Sequence, residues 1–208
     1  MELLIPIGAI CGAILIGAIS PGPSFVYVAR TSIAVSRPAG IVTAVGMGLG
    51  GLMFASAALL GLHMVLTAVP WAYLGLKIGG GAYLIYLAVL LWRGANEPTT
   101  IGQISADASG SLGKFLLVGL ATQLSNPKTA IAYASIFTAL LPVDPPTWLA
   151  WVTLPTIFLI ETGWYAIVAI VFSSEGPRRR YLGAKPLIDR LAAGVIGLLG
   201  VKLIAEVK

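Results

Sequence analysis

The chain has 208 residues, of which 58% are hydrophobic and only 10% are charged, and its formal net charge is +5. A soluble domain carries about 25% charged residues, so this composition excludes an ordinary soluble protein and indicates a membrane protein. Because a membrane-spanning helix needs about 20 apolar residues, the length accommodates about six crossings and leaves no room for a separate soluble domain.

The residue types that most enzymes and metal proteins need are scarce. One Cys and one His are present, too few for a recognisable transition-metal cage. We find no Walker A loop, no nucleophile elbow and no paired carboxylates. We therefore expect no enzyme activity, no cofactor and no metal site. The basic charge is distributed as membrane topology requires, so we expect no nucleic-acid partner either.

Six apolar segments follow one another along the chain. They cover residues 3–30, 38–68, 71–93, 114–141, 147–172 and 187–207. We predict an all-α integral membrane protein with one transmembrane domain over residues 1–208 and six transmembrane helices. The first repeat covers about 1–93, a cytoplasmic linker rich in Gly, Ser and Thr about 94–113, and the second repeat about 114–208. Three crossings per repeat give the two units opposite orientations, so the 3+3 repeat would be inverted.

The basic residues indicate how the chain lies in the membrane. Loops two and four contain no Lys or Arg, whereas loops one, three and five are basic. Cytoplasmic loops carry the excess of Lys and Arg, so we expect these three loops inside and both termini on the external, periplasmic side. The residues concerned are Arg30, Arg37, Arg93, Lys114, Arg178, Arg179, Arg180 and Lys185.

The first segment is interrupted by Ser20-Pro21-Gly22-Pro23-Ser24. Lipid does not tolerate unpaired backbone groups, so a broken helix is expected only where protein or a polar cavity satisfies them. Breaks at corresponding positions of two halves point to a transport site. We predict that Pro21, Gly22, Pro23 and Ser24 bind substrate or act in gating, with Ser24 capping the half-helix that follows. The alternative is an inert proline kink.

The fourth segment is interrupted by Ser125-Asn126-Pro127-Lys128-Thr129. Asn is a favoured N-cap and Pro a favoured first helical residue, so this pattern predicts a helix start inside a membrane segment. Free N–H groups and the helix dipole, together with the charge of Lys128, form an anion site suited to a carboxylate. We therefore assign Asn126, Pro127 and Lys128 to substrate binding. A structural kink with Lys128 reaching toward the surface is the alternative.

Glu161 is the only acidic residue deep within an apolar segment. A carboxylate at this depth is costly and usually faces a partner or a cavity. We predict that it couples transport to protons, with Lys128 or a substrate ammonium group as its partner. A structural salt bridge to Lys128 or Lys77 is the alternative. Tyr165 follows one turn later and is expected to line the same cavity or merely to pack.

Small residues recur at helical spacing in the second and third segments, as in Gly46 with Gly50 and Gly75 with Gly79. Such spacing lets membrane helices approach closely. It predicts a compact bundle.

The two breaks and one further stretch resemble the LysE family of small amino-acid exporters, including its homoserine/threonine branch. The matching stretches are Ser20-Pro21-Gly22-Pro23, LKIGGGAYLIYLAVLLWRGA over 76–95 and LSNPKTAIAY over 124–133. The resemblance implies export of amino acids or similar metabolites across a bacterial inner membrane, driven by the proton gradient. Family members often carry an acidic residue after the glycines of the second segment, where this chain reads Gly48-Leu49-Gly50-Gly51-Leu52. That difference gives Glu161 more weight.

The expected function is therefore a secondary transporter working by proton antiport. Its partners would be an amino-acid-like substrate, protons and the lipid bilayer, and the oligomeric state stays open, with a homodimer as one option. Two alternatives remain. One is a metal or inorganic-ion exporter on a similar scaffold. The other is a non-transporting membrane assembly subunit, which would bury both breaks in dry protein contacts.

Overall fold

The computed structural model describes residues 4–68, 70–97, 111–141 and 145–205. These residues form α-helices, turns and short connections, without a β-strand. Most of the predicted 94–113 linker and both chain ends lie outside the described residues. The helices are α1 (Leu4–Ile19), α2 (Pro23–Ala34), α3 (Arg37–Ala68), α4 (Pro70–Gly94), α5 (Leu112–Leu124), α6 (Pro127–Leu140), α7 (Thr147–Phe172) and α8 (Glu175–Ala205).

The helix bounds follow the predicted segments except at the last one. Helices α1 and α2 share the first segment, and α5 and α6 share the fourth, so both predicted breaks are present. The prediction that the last helix begins at residue 187 is wrong, because α8 begins at Glu175 and includes the arginine triplet assigned to loop five. Pro177 does not oppose this early start, since the first N–H groups of a helix have no partner within it. The Glu175 carboxylate also suits the positive end of the helix dipole.

Several helices have the length and apolar character of membrane spans. Arg37–Gly61 and Thr147–Phe172 each qualify alone. The pair Ile5–Ile19 and Pro23–Ala34 qualifies together, bent by 56° at the break between them. An all-α membrane fold is thus confirmed for the described part of the chain. The arrangement of six crossings in an inverted repeat remains a prediction.

Glycines bring backbone against backbone where α3 meets α5 and where α4 meets α8. A methyl group added at Gly119 of α5 would lie 2.5 Å from the Thr43 carbonyl oxygen of α3, and one at Gly200 of α8 would lie 2.7 Å from the Gly81 carbonyl oxygen of α4. Backbone therefore touches backbone at both contacts, which is the role that small residues have in membrane bundles.

The predicted glycine pairs differ in what they do. Gly46 faces α5, where an added methyl group would overlap the Leu116 carbonyl oxygen, and Gly50 faces Gln123 of the same helix. Gly75 and Gly79 have open space around them. Only the pair in the second segment therefore mediates helix packing.

Replacing Gly46 by Ala should destabilise the protein by about 1–3 kcal/mol, because the methyl group forces α3 away from α5. The matched change Gly79→Ala should not destabilise, since its methyl group meets nothing within 4 Å. Thermal unfolding of the purified variants in detergent measures the difference. Equal unfolding temperatures for the two variants would contradict this packing.

Candidate functional site

The two helix breaks face each other, and Lys128 joins them. From the first turn of α6 its Nζ lies 3.4 Å from Ser20 Oγ and 3.5 Å from the Ser20 carbonyl oxygen. A methyl group added at Gly22 would lie 3.4 Å from the same Nζ. The lysine of the second break therefore reaches the backbone of the first.

The first break leaves carbonyl groups at the end of α1 without helical N–H partners. Side chains from three other helices supply the missing donors, which is how an interrupted helix is tolerated in a membrane protein. Trp164 Nε1 donates to Ala18 at 3.0 Å, Tyr181 Oη to Ile19 at 3.0 Å and Lys128 Nζ to Ser20 at 3.5 Å.

The start of α2 differs from its prediction. Its N-cap is Gly22, which has an extended backbone (φ −141°, ψ −173°) and makes no side-chain cap. The expected capping by Ser24 is wrong, because Pro23 occupies the first helical position and places Ser24 inside the helix. The buried Ser24 hydroxyl instead contacts the second break.

The start of α6 has the geometry that the Asn-Pro pattern predicts. Asn126 is the N-cap, and its Oδ1 accepts a hydrogen bond from the Lys128 backbone N–H at 3.1 Å. Pro127 takes the first helical position, where its missing N–H costs nothing. The result is a helix start with a buried Asn126 cap and a lysine on its first turn.

Four hydrogen bonds connect this helix start to Glu161, and every donor points toward the carboxylate. The Lys128 N–H donates to Asn126, and Asn126 Nδ2 donates to Ser24 Oγ at 3.0 Å. Ser24 Oγ donates to Gln123 Oε1 at 2.5 Å, and Gln123 Nε2 donates to Glu161 Oε2 at 3.1 Å. We call this series the donor chain. It joins the two breaks and the carboxylate in one polar network.

Glu161 is buried, with 2% of its surface exposed, and neutral donors hold both of its oxygens. Tyr133 Oη donates to Oε1 at 2.9 Å, opposite Gln123. A methyl group at Gly51 would lie 2.9 Å from Tyr133 Oη and 3.0 Å from Glu161 Cγ, so this glycine leaves room for the pair. Of the two lysines considered as partners, Lys128 directs its ammonium group to Ser20 instead.

Most of these groups, but neither Gln123 nor Gly51, line a cavity between the breaks, which we call the central cavity. Its volume is about 40 Å³. One water molecule needs on the order of 10–15 Å³, so the space admits a few waters but no amino acid. The site is thus closed in this conformation. Among the predicted site residues, its lining includes Gly22, Ser24, Asn126, Lys128, Glu161 and Tyr165.

Three predicted residues lie elsewhere. Pro21 and Pro23 line a neighbouring cavity. Pro127 starts α6 without lining either cavity.

Tyr165 is buried and interacts with Ser24, so it supports the donor chain as well as the cavity wall.

Sequence reasoning missed Gln123 and Tyr133, the two residues that donate to Glu161. Gln123 is a fully buried amide in the apolar helix α5, one turn before Asn126. A polar residue in such an apolar helix is a signal from which sequence reasoning could have assigned it to the site. Tyr133 stands in the 124–133 stretch that carried the family resemblance. Nothing in the local pattern links it to a residue on α7.

Comparison with known proteins identifies the family. The sequence profile of the LysE type translocators matches residues 15–207. Threonine efflux proteins from Escherichia coli K12 and Salmonella typhimurium LT2 are 29% and 30% identical over 191 residues, covering 91% of this chain and 93% of theirs. A leucine efflux protein from Salmonella choleraesuis is 25% identical over 197 residues, 94% of this chain and 90% of its own. No solved structure matches the chain. The chain therefore belongs to the LysE family, whose members are membrane translocators rather than enzymes.

Proposed function

We propose that the protein is a secondary transporter that exports threonine or a similar small amino acid across a bacterial inner membrane in exchange for protons. The observation that carries this proposal is the donor chain, which links a helix start suited to a carboxylate with a buried glutamate. The efflux proteins similar to this chain support an amino acid as the cargo.

Six crossings in two inverted units would supply the alternating access that export requires. One unit would contain α1 with α2, α3 and α4, and the other α5 with α6, α7 and α8. A two-fold axis between the units pairs α3 with α7 and α4 with α8, and these are among the most extensive helix contacts. Loops one, three and five would face the cytoplasm, with both termini outside.

The start of α6 would bind the substrate carboxylate. The Lys128 ammonium group and the positive end of the helix dipole both favour an anion there. Because these groups are hydrogen-bond donors, they suit a carboxylate better than the metal cation of the alternative exporter. The cavity between the breaks, whose mostly apolar wall includes Asn126, Lys128 and Glu161, also counts against an assembly subunit, which requires dry contacts there.

Glu161 would bind either a proton or the substrate ammonium group. Its carboxylate lines the central cavity together with Lys128, so a zwitterion can contact both once the cavity opens. Substrate binding then releases the proton from Glu161, and proton binding on the other side of the membrane releases the substrate. One exchange of this kind per cycle gives antiport.

The donor chain would transmit the state of Glu161 to the carboxylate site. A proton on Oε2 makes Glu161 a donor, which faces the Gln123 Nε2 donor 3.1 Å away. The Gln123 amide must then turn, and Ser24 and Asn126 must reverse their bonds in sequence. A turned Asn126 amide no longer caps α6, so a proton on Glu161 Oε2 also weakens the anion site.

Replacing Glu161 by Gln should leave the protein folded and lower export driven by a pH gradient about tenfold or more, since one charged interaction with substrate is lost. Threonine transport in proteoliposomes measures the effect. Glu175→Gln makes the same chemical change at an exposed position and should not alter transport. Undiminished transport by the Glu161→Gln variant at equal protein content would reject the coupling role.

Lys128→Ala should weaken threonine binding about 10- to 100-fold, and Asn126→Ala about fivefold, because the first change removes a charge and the second a helix cap. Isothermal titration of the purified variants measures both affinities. Lys114→Ala removes an exposed lysine of α5 that lines neither cavity and serves as the control. Wild-type affinity in both site variants would dismiss the anion site.

The donor chain can be tested with 2,3-dihydroxybutyrate, which resembles threonine but carries a hydroxyl in place of the ammonium group. Since this ligand cannot compete with the proton on Glu161, its binding should weaken at low pH only through the donor chain. We expect the pH dependence to disappear in Gln123→Leu and to persist in Tyr133→Phe. Each variant removes one hydrogen bond to Glu161. An unchanged pH dependence in Gln123→Leu would rule out transmission through the donor chain.

A further inference from the structure

A second cavity adjoins the central one, and we call it the vestibule. Its volume is about 380 Å³, nearly ten times the 40 Å³ of the central cavity, and it is the more open of the two. Gly22 and Lys128 line both cavities, so they form part of the shared wall. The remaining charged lining of the vestibule consists of Glu97, Lys185 and Asp189.

Lys185 fastens α8 to the end of α4 and has little capacity for a further ligand. Its Nζ donates to the carbonyl oxygens of Gly94 at 2.8 Å and Ala95 at 3.2 Å, and it pairs with Asp189 Oδ2 at 2.8 Å. These three contacts match the three donors of an ammonium group. Lys185 therefore has a structural role, which is to hold α8 against the end of α4.

Asp189 lines the vestibule and has an unpaired acceptor just behind its wall. The residue is 3% exposed, and its Oδ1 is buried without a hydrogen-bond partner among the described residues, whereas Oδ2 faces Lys185. A buried carboxylate oxygen without a donor is unfavourable, and native proteins rarely leave one unpaired. A ligand that brings an N–H donor to Oδ1 would remove this deficit.

We propose that the vestibule is a loading subsite for the same zwitterion that the central cavity receives, an inference that rests on the proposed function. Rotation of the Asp189 carboxylate exposes the buried Oδ1 to the substrate ammonium group, while the substrate carboxylate contacts Lys128. When the central cavity opens, Lys128 keeps the carboxylate and the ammonium group moves from Asp189 to Glu161. No bond is made or broken in this transfer.

Size and position support this order of events. The vestibule accommodates an amino acid in the present conformation, whereas the central cavity does not. Gly94 and Glu97 lie where α4 ends, next to the connection predicted to be cytoplasmic. An exporter must take up its substrate from that side.

The test is threonine, homoserine and leucine transport in proteoliposomes, with protein inserted in a known orientation and substrate supplied on its cytoplasmic face. For the best substrate, Asp189→Asn should raise KM about tenfold and leave kcat within about twofold, as loss of one charged contact in loading predicts. Glu175→Gln, at an exposed acidic residue of the same helix, should keep both constants. The double variant Lys185→Gln/Asp189→Asn removes both charges of the pair and should raise KM as much as Asp189→Asn does. It provides the test if the single variant does not fold.

The outcomes separate the two proposals. An unchanged KM in folded Asp189→Asn, or in the double variant if only that one folds, would overturn the loading subsite and leave the exporter proposal intact. Failure of both variants to fold would make the pair structural and would also overturn the subsite. If the wild-type protein transports none of the three amino acids, the proposed function falls and the subsite with it.

Discussion

The structure depends on one constraint, the need to surround a carboxylate buried in an apolar bundle with donors. Glu161 obtains them from Tyr133 and Gln123. Because Gln123 has a single carbonyl oxygen and directs its amino group at Glu161, the hydroxyl of Ser24 must donate to that oxygen, and Asn126 must in turn donate to Ser24. With Glu161 ionised, every bond of this series therefore runs in one direction, from the start of α6 to the carboxylate. In the proposed antiporter, this series would link the proton site to the site for the substrate carboxylate.

The helix breaks and the glycines make this network possible. A continuous helix would keep its own N–H groups occupied, whereas the break before Pro127 frees a helix start for an anion. Trp164 and Tyr181 donate hydrogen bonds to carbonyl groups left at the first break, so protein side chains replace the missing helical donors. Gly22 and Gly51 have a steric role. They let Lys128 and Glu161 approach the backbone of neighbouring helices. The closed central cavity results from this close fit.

Local chemistry made much of this predictable from the sequence. The Asn126 cap depends only on the next two residues, and the break at Pro21 and Pro23 depends on missing N–H groups, so both were foreseen. The start of α8 was misplaced because a run of arginines resembles a loop, although arginine is a good helix former. The partnership of Gln123 with Glu161 spans 38 positions and depends on how α5 packs against α7. Such pairs, like the free oxygen of Asp189, follow from tertiary structure rather than from a local pattern.

The central claim is that substrate and proton exclude each other at Glu161. Proton release on threonine binding tests it most directly, measured with a pH indicator on purified protein in weakly buffered detergent solution over a series of pH values. We expect release approaching about one proton per bound threonine where Glu161 is protonated beforehand, as linkage requires, and no release from the Glu161→Gln variant. Stoichiometric threonine binding by the wild-type protein without proton release at any pH would contradict it.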